Sequence, residues 1–336
     1  MAVTIYDIAK ATGFSITTVS KVLNNYPDVG QKTREKILKT VDEMGYFPSS
    51  YARTLTTKKS YTLGVIYMES LGIGLKHSFF SGIIQSFKQV VELEGYDLLF
   101  IANKIGDEKK SYLDHFKYRG VDGVVVFSSE NDDEELDKVI DADLPSVIID
   151  LDSSNTNVVH SDNYQGTELA LQYLTDLGHK KIAHIAGHQN TFSGIERMKG
   201  FLKAMKRLDL TIPPSYIVNG GFFSIEGGRE AMQQLLVLNE RPTAVFASSD
   251  TMALGAIQVI QEAGLRVPED ISVIGYDNVD WSEYITPRLT TIRQDVDKIG
   301  ADAAKILLNS INGKTKKYVK EVIPVTLVKR DSCSER

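Results

Sequence analysis

Residues 4–25 read TIYDIAKATGFSITTVSKVLNN, and this stretch decides how the chain begins. Thr4 suits the cap of a first helix over 6–12, with Asp7 in the first turn complementing the positive end of the helix. Ala9 is small enough to let a second helix approach closely. Gly13-Phe14-Ser15 breaks the pattern, and Ser15 suits the cap of a second helix over 16–23. The spacing is that of a helix-turn-helix, whose second helix lies in the major groove of DNA. A third helix is expected over 31–44, ending at Gly45. Ile8, Ala9, Val19, Val22, Leu23, Ile37, Leu38 and Val41 fall at spacings that give the three helices a small shared core.

The opposite face of the second helix carries the chemistry. Ile16 suits a thymine methyl group, Thr17 donates or accepts, and Lys21 reaches guanine acceptors or a phosphate. Tyr6, Ser15, Thr18, Ser20, Asn24, Thr33 and Arg34 are expected as contacts to the DNA backbone. After Gly45-Tyr46-Phe47-Pro48 comes SSYARTL, too short to hold an isolated helix in water. Laid on DNA beside its twin, that segment could fold and push Leu55 into the minor groove as an apolar wedge. Spacing alone leaves a plain linker with an incidental leucine as the simpler reading.

Charge is distributed unevenly. The chain of 336 residues has a net charge of -6, yet residues 1–60 hold nine Lys/Arg against five Asp/Glu. A basic head on an acidic body suits a protein whose head alone approaches phosphates. The length implies two or three folded units. A single cysteine, Cys333, excludes a disulfide framework and a cysteine zinc site. With no secretory signal and no apolar run of membrane-spanning length, the expectation is a cytoplasmic protein without a membrane partner.

From Tyr61 onward short apolar runs alternate with helical periods. Strands are expected at 63–68, 96–102, 123–127 and 146–150, with helices at 78–94, 108–118 and 133–141 between them. The rhythm restarts with strands at 182–186, 216–219, 244–247 and 272–276 and helices at 165–177, 193–207, 224–236 and 251–262. This alternation means parallel sheets with right-handed crossovers, and two runs imply two doubly wound lobes. Ligands of such sheets bind beyond the carboxyl ends of the strands. Asp150, Ser193, Arg197, Ser249, Asp250, Tyr276 and Asp277 fall there. Carboxylates, an arginine fork and a hydroxyl beside an aromatic ring are what a polyhydroxylated sugar needs. Phe79, Phe80, Phe222, Phe223 and Trp281 are the aromatic choices. Asp250 reads better as a helix cap or hinge bond than as a ligand contact.

The stretches TIYDIAKATGFSITTVSKVLNN, TREKILKTVDEMGYFP, YARTL and PTAVFASSDTMALGAIQVIQEAGLRVPEDISVIGYDN resemble the lactose/galactose-repressor family of bacterial transcription regulators. The resemblance runs essentially to Arg330 and extends to periplasmic sugar-binding proteins. It implies an N-terminal all-α helix-turn-helix DNA-binding domain plus an α/β periplasmic-binding-protein-like effector domain of two doubly wound lobes. The first domain would cover 1–60, with a hinge helix near 49–57. The second would cover 61–336, with one lobe at 61–161 and 294–320 and the other at 162–293 and 321–336.

By motif position, the resemblance assigns base reading to Ile16, Thr17 and Lys21, where arginine is more usual. It assigns the minor-groove lever to Leu55, flanked by Ala52 and Arg53. Gly30 stands where the family often has a serine cap. For the effector it points to Asp150, Asp277, Arg197, Ser193 and Phe223, with Phe79 in the first lobe and Gln294 in the crossover. Ser249 replaces the usual asparagine. The implied protein is a homodimeric repressor of a palindromic, double-stranded operator, released by a small sugar or sugar phosphate and lacking a tetramer-forming tail. Two alternatives stay open: a catabolite-control regulator answering to a phosphorylated carrier protein, and a repressor with a purine corepressor.

Other chemistries lack support. His179, His184 and His188 are close in sequence, but His184 alternates within an apolar strand and His179 sits at a helix end, so no metal is expected. Gly72-x-Gly74 lacks the third glycine of a dinucleotide loop. No Walker loop, nucleophile elbow or acid-base pair stands out, so neither enzyme activity nor a cofactor is expected.

Overall fold

A computed structural model of the chain describes residues 3–47, 59–68, 74–101, 104–105, 108–109, 111–127, 134–314 and 317–336. Contacts divide the chain into two compact units, Met1–Ser60 and Tyr61–Arg336. The proposed hinge helix near 49–57, with Ala52, Arg53 and Leu55, lies outside the described residues.

The first unit is built from α1 (Ile5–Thr12), α2 (Ile16–Leu23) and α3 (Gln31–Glu43). The Asp7 carboxylate accepts from the Thr4 N–H at 2.9 Å and from its hydroxyl at 2.7 Å, closing the start of α1. Gly13 ends that helix at φ +75°, a backbone region costly for residues with a Cβ. The Ser15 hydroxyl accepts from the Thr18 N–H at 3.1 Å and starts α2. Gly30 begins α3 without any side-chain bond, as its lack of a hydroxyl dictates. Ile8, Val19, Val22 and Ile37 are fully buried where the three helices meet. Leu38, expected in this core, is instead 41% exposed, because it follows Ile37 around the helix and leaves the shared face.

The second unit opens with β1 (Thr62–Tyr67), α4 (Ser78–Leu93), β2 (Asp97–Phe100) and a short antiparallel pair, β3 (Lys104–Ile105) and β4 (Glu108–Lys109). It continues with α5 (Tyr112–Arg119), β5 (Gly123–Phe127), α6 (Glu134–Ile140), β6 (Ser146–Ile149) and β7 (Asn157–Ser161). The helix expected over 108–118 therefore starts later. The Ser111 hydroxyl accepts from the Asp114 N–H at 3.1 Å, and that cap sets its first turn.

The chain then passes to a second lobe made of α7 (Asn163–Asp176), β8 (Ile182–Ala186), α8 (Phe192–Arg207), β9 (Ile217–Asn219), α9 (Ile225–Leu236), β10 (Ala244–Ala247), α10 (Asp250–Glu262), β11 (Ser272–Asp277) and β12 (Thr290–Arg293). It returns to the first lobe for α11 (Val296–Ile311) and β13 (Lys320–Ile323), then crosses again into β14 (Thr326–Val328). Two six-stranded sheets result, ordered β13-β7-β6-β5-β1-β2 and β14-β12-β11-β10-β8-β9. The first is parallel throughout, and the second is parallel except for β14 on its edge. The last crossing comes after Ile323 and not at 320–321, since β13 pairs with β7 and sets Val322 opposite His160.

Both faces of each sheet are covered. In the first lobe, α4 and α11 bury Ile83, Phe87, Ile299 and Leu307 on one face, and Phe116, Leu136 and Val139 from α5 and α6 cover the other. In the second, α9 and α10 contribute Met232, Leu235, Ala253 and Ile257 to one face, and α7 and α8 contribute Leu171, Leu174 and Phe201 to the other. Gly255 sets how closely α10 meets α9, since a Cβ there would lie 2.1 Å from the Ile225 carbonyl oxygen.

Candidate functional site

A cleft with about 640 Å³ of open space is lined from both lobes of the second unit. From the first lobe come Lys76, His77, Ser78, Phe79 and Phe80, at and before the start of α4, together with Asp150 just beyond β6. From the second come Ser193 and Arg197 on α8, Phe223 before α9, Thr251 on α10, and Asp277 and Val279 at and beyond the end of β11. The position beyond the carboxyl ends of the strands is where doubly wound sheets bind ligands.

Arg197 organises the second-lobe wall. It is buried, with its Nε–H donating to Asn163 Oδ1 at 2.8 Å and its Nη1 donating to the Ser248 carbonyl. Its guanidinium carbon lies 3.7 Å from the centroid of the Tyr276 ring and 5.8 Å from that of Phe223. Nη1 also faces Asp277 Oδ1 at 3.8 Å. Asp277 in turn accepts from Gln294 Nε2 at 2.6 Å. The Phe223 backbone is in the left-handed region, at φ +56°, and its carbonyl accepts from the Thr251 hydroxyl at 2.6 Å.

The carboxylates are electrostatically unusual. Burial pushes Asp150 up to about 7, with Arg197 pulling the other way and Asp277 adding to the rise. Its Oδ1 is enclosed and has no hydrogen-bond partner among the described residues. Burial also raises Asp277, to about 6, against the pull of Arg197 and the Gln294 bond. The enclosed Asp150 beside this arginine has acceptor capacity unmet among the described residues, a costly arrangement unless a donor arrives.

Six of the eight effector residues expected from sequence line this cleft: Phe79, Asp150, Ser193, Arg197, Phe223 and Asp277. Gln294 lies in the adjoining cleft and reaches this one through Asp277. Ser249 is the N-cap of α10, its hydroxyl accepting from the Met252 N–H at 3.2 Å and bonded to Thr251 Oγ1 at 2.8 Å. Asp250 is not the cap; it accepts from the Val279 N–H at 2.9 Å and from the Thr291 hydroxyl, holding the loop after β11. Phe222 stacks on His188, with centroids 3.9 Å apart, and Trp281 lines the adjoining cleft. His184 is sandwiched between Phe201 and Phe246, and burial lowers it to about 4. Lys76, His77, Ser78, Thr251 and Val279 also line the cleft and are not among the residues expected from sequence. Thr251 and Val279 had a signal, standing next to strand-end residues already singled out.

On the first unit, Ile16 and Thr17 are exposed at the start of α2, and Lys21 one turn later pairs with Asp28. Tyr6 is 68% exposed. Ser15 and Thr18 are tied together at the cap, Asn24 Nδ2 donates to the Ser20 carbonyl at 2.9 Å, and Arg34 Nη1 donates to Asn25 Oδ1 at 3.0 Å. Thr33 is half-buried in the first turn of α3.

Comparison with known proteins agrees with this architecture. Residues 4–49 match the family described as bacterial regulatory proteins, lacI family, and residues 171–333 match a periplasmic binding protein-like domain. The HTH-type transcriptional repressor PurR of Histophilus somni (strain 129Pt) is 37% identical, with 97% of this chain and 98% of that protein covered. The crystal structure of a lac repressor dimer bound to operator and the anti-inducer ONPF superposes with a TM-score of 0.86 at 30% identity, covering 99% of this chain and 100% of that one. A complex of the transcriptional regulator CelR with cellobiose gives a TM-score of 0.72 at 28% identity, covering 98% and 99%.

Proposed function

The chain belongs to the lacI family of bacterial regulatory proteins, and from that premise we propose that it grips a palindromic operator as a homodimer and lets go when a small carbohydrate fills the cleft between its lobes. It is a DNA-binding transcriptional repressor, like its relatives, and a regulator rather than an enzyme. Dimeric operator binding is what the lac repressor structure displays, and a two-fold protein matches a two-fold site. Ile16, Thr17 and Lys21 would meet base edges, and Tyr6, Ser15, Thr18, Ser20, Asn24, Thr33 and Arg34 would hold the DNA backbone.

The observation that carries the effector class is the buried Asp150 Oδ1, without a hydrogen-bond partner among the described residues, facing Ser193, Arg197 and Asp277 of the other lobe. Vicinal hydroxyls donate to such carboxylates and accept from such a guanidinium, while the rings of Phe79 and Phe223 cover the apolar face of a sugar. Because the polar groups come from both lobes, a bound sugar favours the closed arrangement over the open one. That differential affinity is the source of any allosteric effect, typically about 1–3 kcal/mol or 5–150-fold in operator affinity. Calorimetry of the full chain with a sugar panel tests the reading, with Ser193→Ala as the variant expected to weaken binding. A panel without binders would contradict it.

A second reading has one observation behind it. The repressor named PurR is 37% identical over nearly the whole chain, against 28% for the regulator bound to cellobiose. A corepressor of purine type would strengthen operator binding where an inducing sugar weakens it. Operator affinity with glucose, maltose, cellobiose, hypoxanthine or guanine present separates the two by sign.

A further inference from the structure

The loop between α2 and α3 sets an acid against the reading helix. Lys21 stands about one turn beyond Thr17 on α2, and its ammonium pairs with the carboxylate of Asp28 in that loop. The loop is braced from both ends. The Tyr26 N–H donates to the Lys21 carbonyl at 2.9 Å, and the Asn25 N–H donates to the Val22 carbonyl at 3.1 Å. Asn25 turns the chain at φ +59°, with its side-chain oxygen accepting from Arg34 Nη1 at 3.0 Å, and Val29 packs on the three-helix core. Asp28 therefore meets Lys21 from a fixed position. The bond from Lys21 holds its carboxyl below the usual range, so it is ionised at neutral pH. Resting on the reading that Lys21 reaches base edges, we infer that Asp28 is a specificity-determining residue, which steers Lys21 toward guanine and away from phosphate.

A lysine ammonium is a compact charge with rotatable donors and no planar fork to fit it to a base. Phosphates are its natural partners, and they supply most of the binding that ignores sequence. Asp28 changes both sides of that competition. A carboxylate in contact with the ammonium repels a phosphate brought to the same place. Guanine N7 and O6 are neutral acceptors, and an ammonium bonded to Asp28 keeps donors for them. The carboxylate also holds a long side chain in place, so less rotamer freedom is lost when a base is read. Folding gains little from the pair, because the Lys21 side chain is 42% exposed and that of Asp28 52%, and exposed pairs contribute little to stability.

Asp28→Asn keeps the shape and removes the charge. The full chain and this variant are titrated across a salt series with random duplex and with a symmetric duplex selected from a random pool. On random duplex the variant should gain about fivefold or more, with a slope of log affinity against log salt steeper by about 0.9 for each helix-turn-helix as Lys21 takes a phosphate. Affinity for the selected duplex should stay within about twofold, so the preference for it falls. Adding Lys21→Ala to Asp28→Asn should abolish the gain and restore the slope. An equal gain on both duplexes, or a gain that survives Lys21→Ala, would mark a general charge effect and overturn the inference. A loss confined to the selected duplex would make Asp28 a base contact in its own right and overturn it too. Unchanged random binding in Asp28→Asn, with Lys21→Ala alone still lowering the preference for the selected duplex, would overturn the steering role and leave Lys21 as a reader. Lys21→Ala neutral on both duplexes would overturn both.

Discussion

The guanidinium of Arg197 is held between Tyr276, whose ring centroid lies 3.7 Å away, and Asp277, whose carboxylate faces Nη1 at 3.8 Å. Neighbouring residues on one strand end thus supply a π-face and a charge to the same fork. Two further bonds, to Asn163 and to the Ser248 carbonyl, use its donors on the protein side. The fork is therefore fixed before a ligand arrives, which lowers the entropy lost on binding.

Arg197→Lys should be far from conservative, because an ammonium has neither the fork nor the planar stack. Leaving the buried acceptors at Asn163 and Ser248 incompletely paired should cost about 2–4 kcal/mol of stability. Chemical denaturation checks this, and a loss below about 0.5 kcal/mol would contradict the role assigned to the fork.

Effector binding should release a proton near neutral pH. Asp150 is raised to about 7 and Asp277 to about 6, so both are partly protonated in the free protein. Hydroxyl donors favour the ionised carboxylates, so binding expels protons and affinity rises with pH until both acids are ionised. Folding stability runs the other way. Between the unfolded value of 3.8 and the raised folded values the native state binds more protons, so stability falls as pH rises through that window. Calorimetry in buffers of different ionisation heat should find proton release at about pH 6.5 and little at about pH 8.5; no release at either would oppose the assignment.

On the first unit, Ile16→Ala and Thr17→Ala should each reduce specific operator affinity by about 1–3 kcal/mol. Binding to random duplex should hardly change, since phosphate contacts dominate it. Equal losses on both duplexes, measured at one salt concentration, would remove these residues from base reading.

Gly255→Ala should destabilise the second lobe by roughly 1–3 kcal/mol through overpacking. The added Cβ meets backbone atoms, the Ile225 carbonyl oxygen at 2.1 Å and the Arg229 nitrogen at 2.9 Å, which cannot swing aside. Because α9 follows Phe223 and α10 carries Thr251, the same change should loosen the cleft wall. A thermal shift within about 1 °C of the parent would argue against that coupling.

The parts of this architecture legible in the sequence were those with a local signal. The strands 123–127, 182–186 and 244–247 are continuous apolar runs with sharp ends, and the structure has them at those bounds. The helix-turn-helix was legible because Gly13 and Ser15 punctuate it. The helix at Val296–Ile311 was not singled out, although Ile299, Ala303 and Leu307 are spaced for it; the neighbour it packs on, α4, lies some two hundred residues earlier. Asp150, Arg197 and Asp277 were visible as polar residues at strand ends or after them. The oxygens of Asp150 and Gln294 that lack a partner among the described residues were not, because satisfaction depends on contacts between distant segments. Ser249 looked like a cleft residue by position, but its hydroxyl is consumed by the cap of α10.

Operator binding with and without effector tests the central claim most directly. The full chain is titrated at moderate, constant salt against a symmetric duplex selected from a random pool and against unselected duplex. The account predicts a preference for the symmetric duplex of about 10³-fold or more, falling 5–150-fold when a sugar shown to bind the cleft is added. Equal affinity for the two duplexes, or a saturating sugar that leaves operator affinity unchanged, would contradict it.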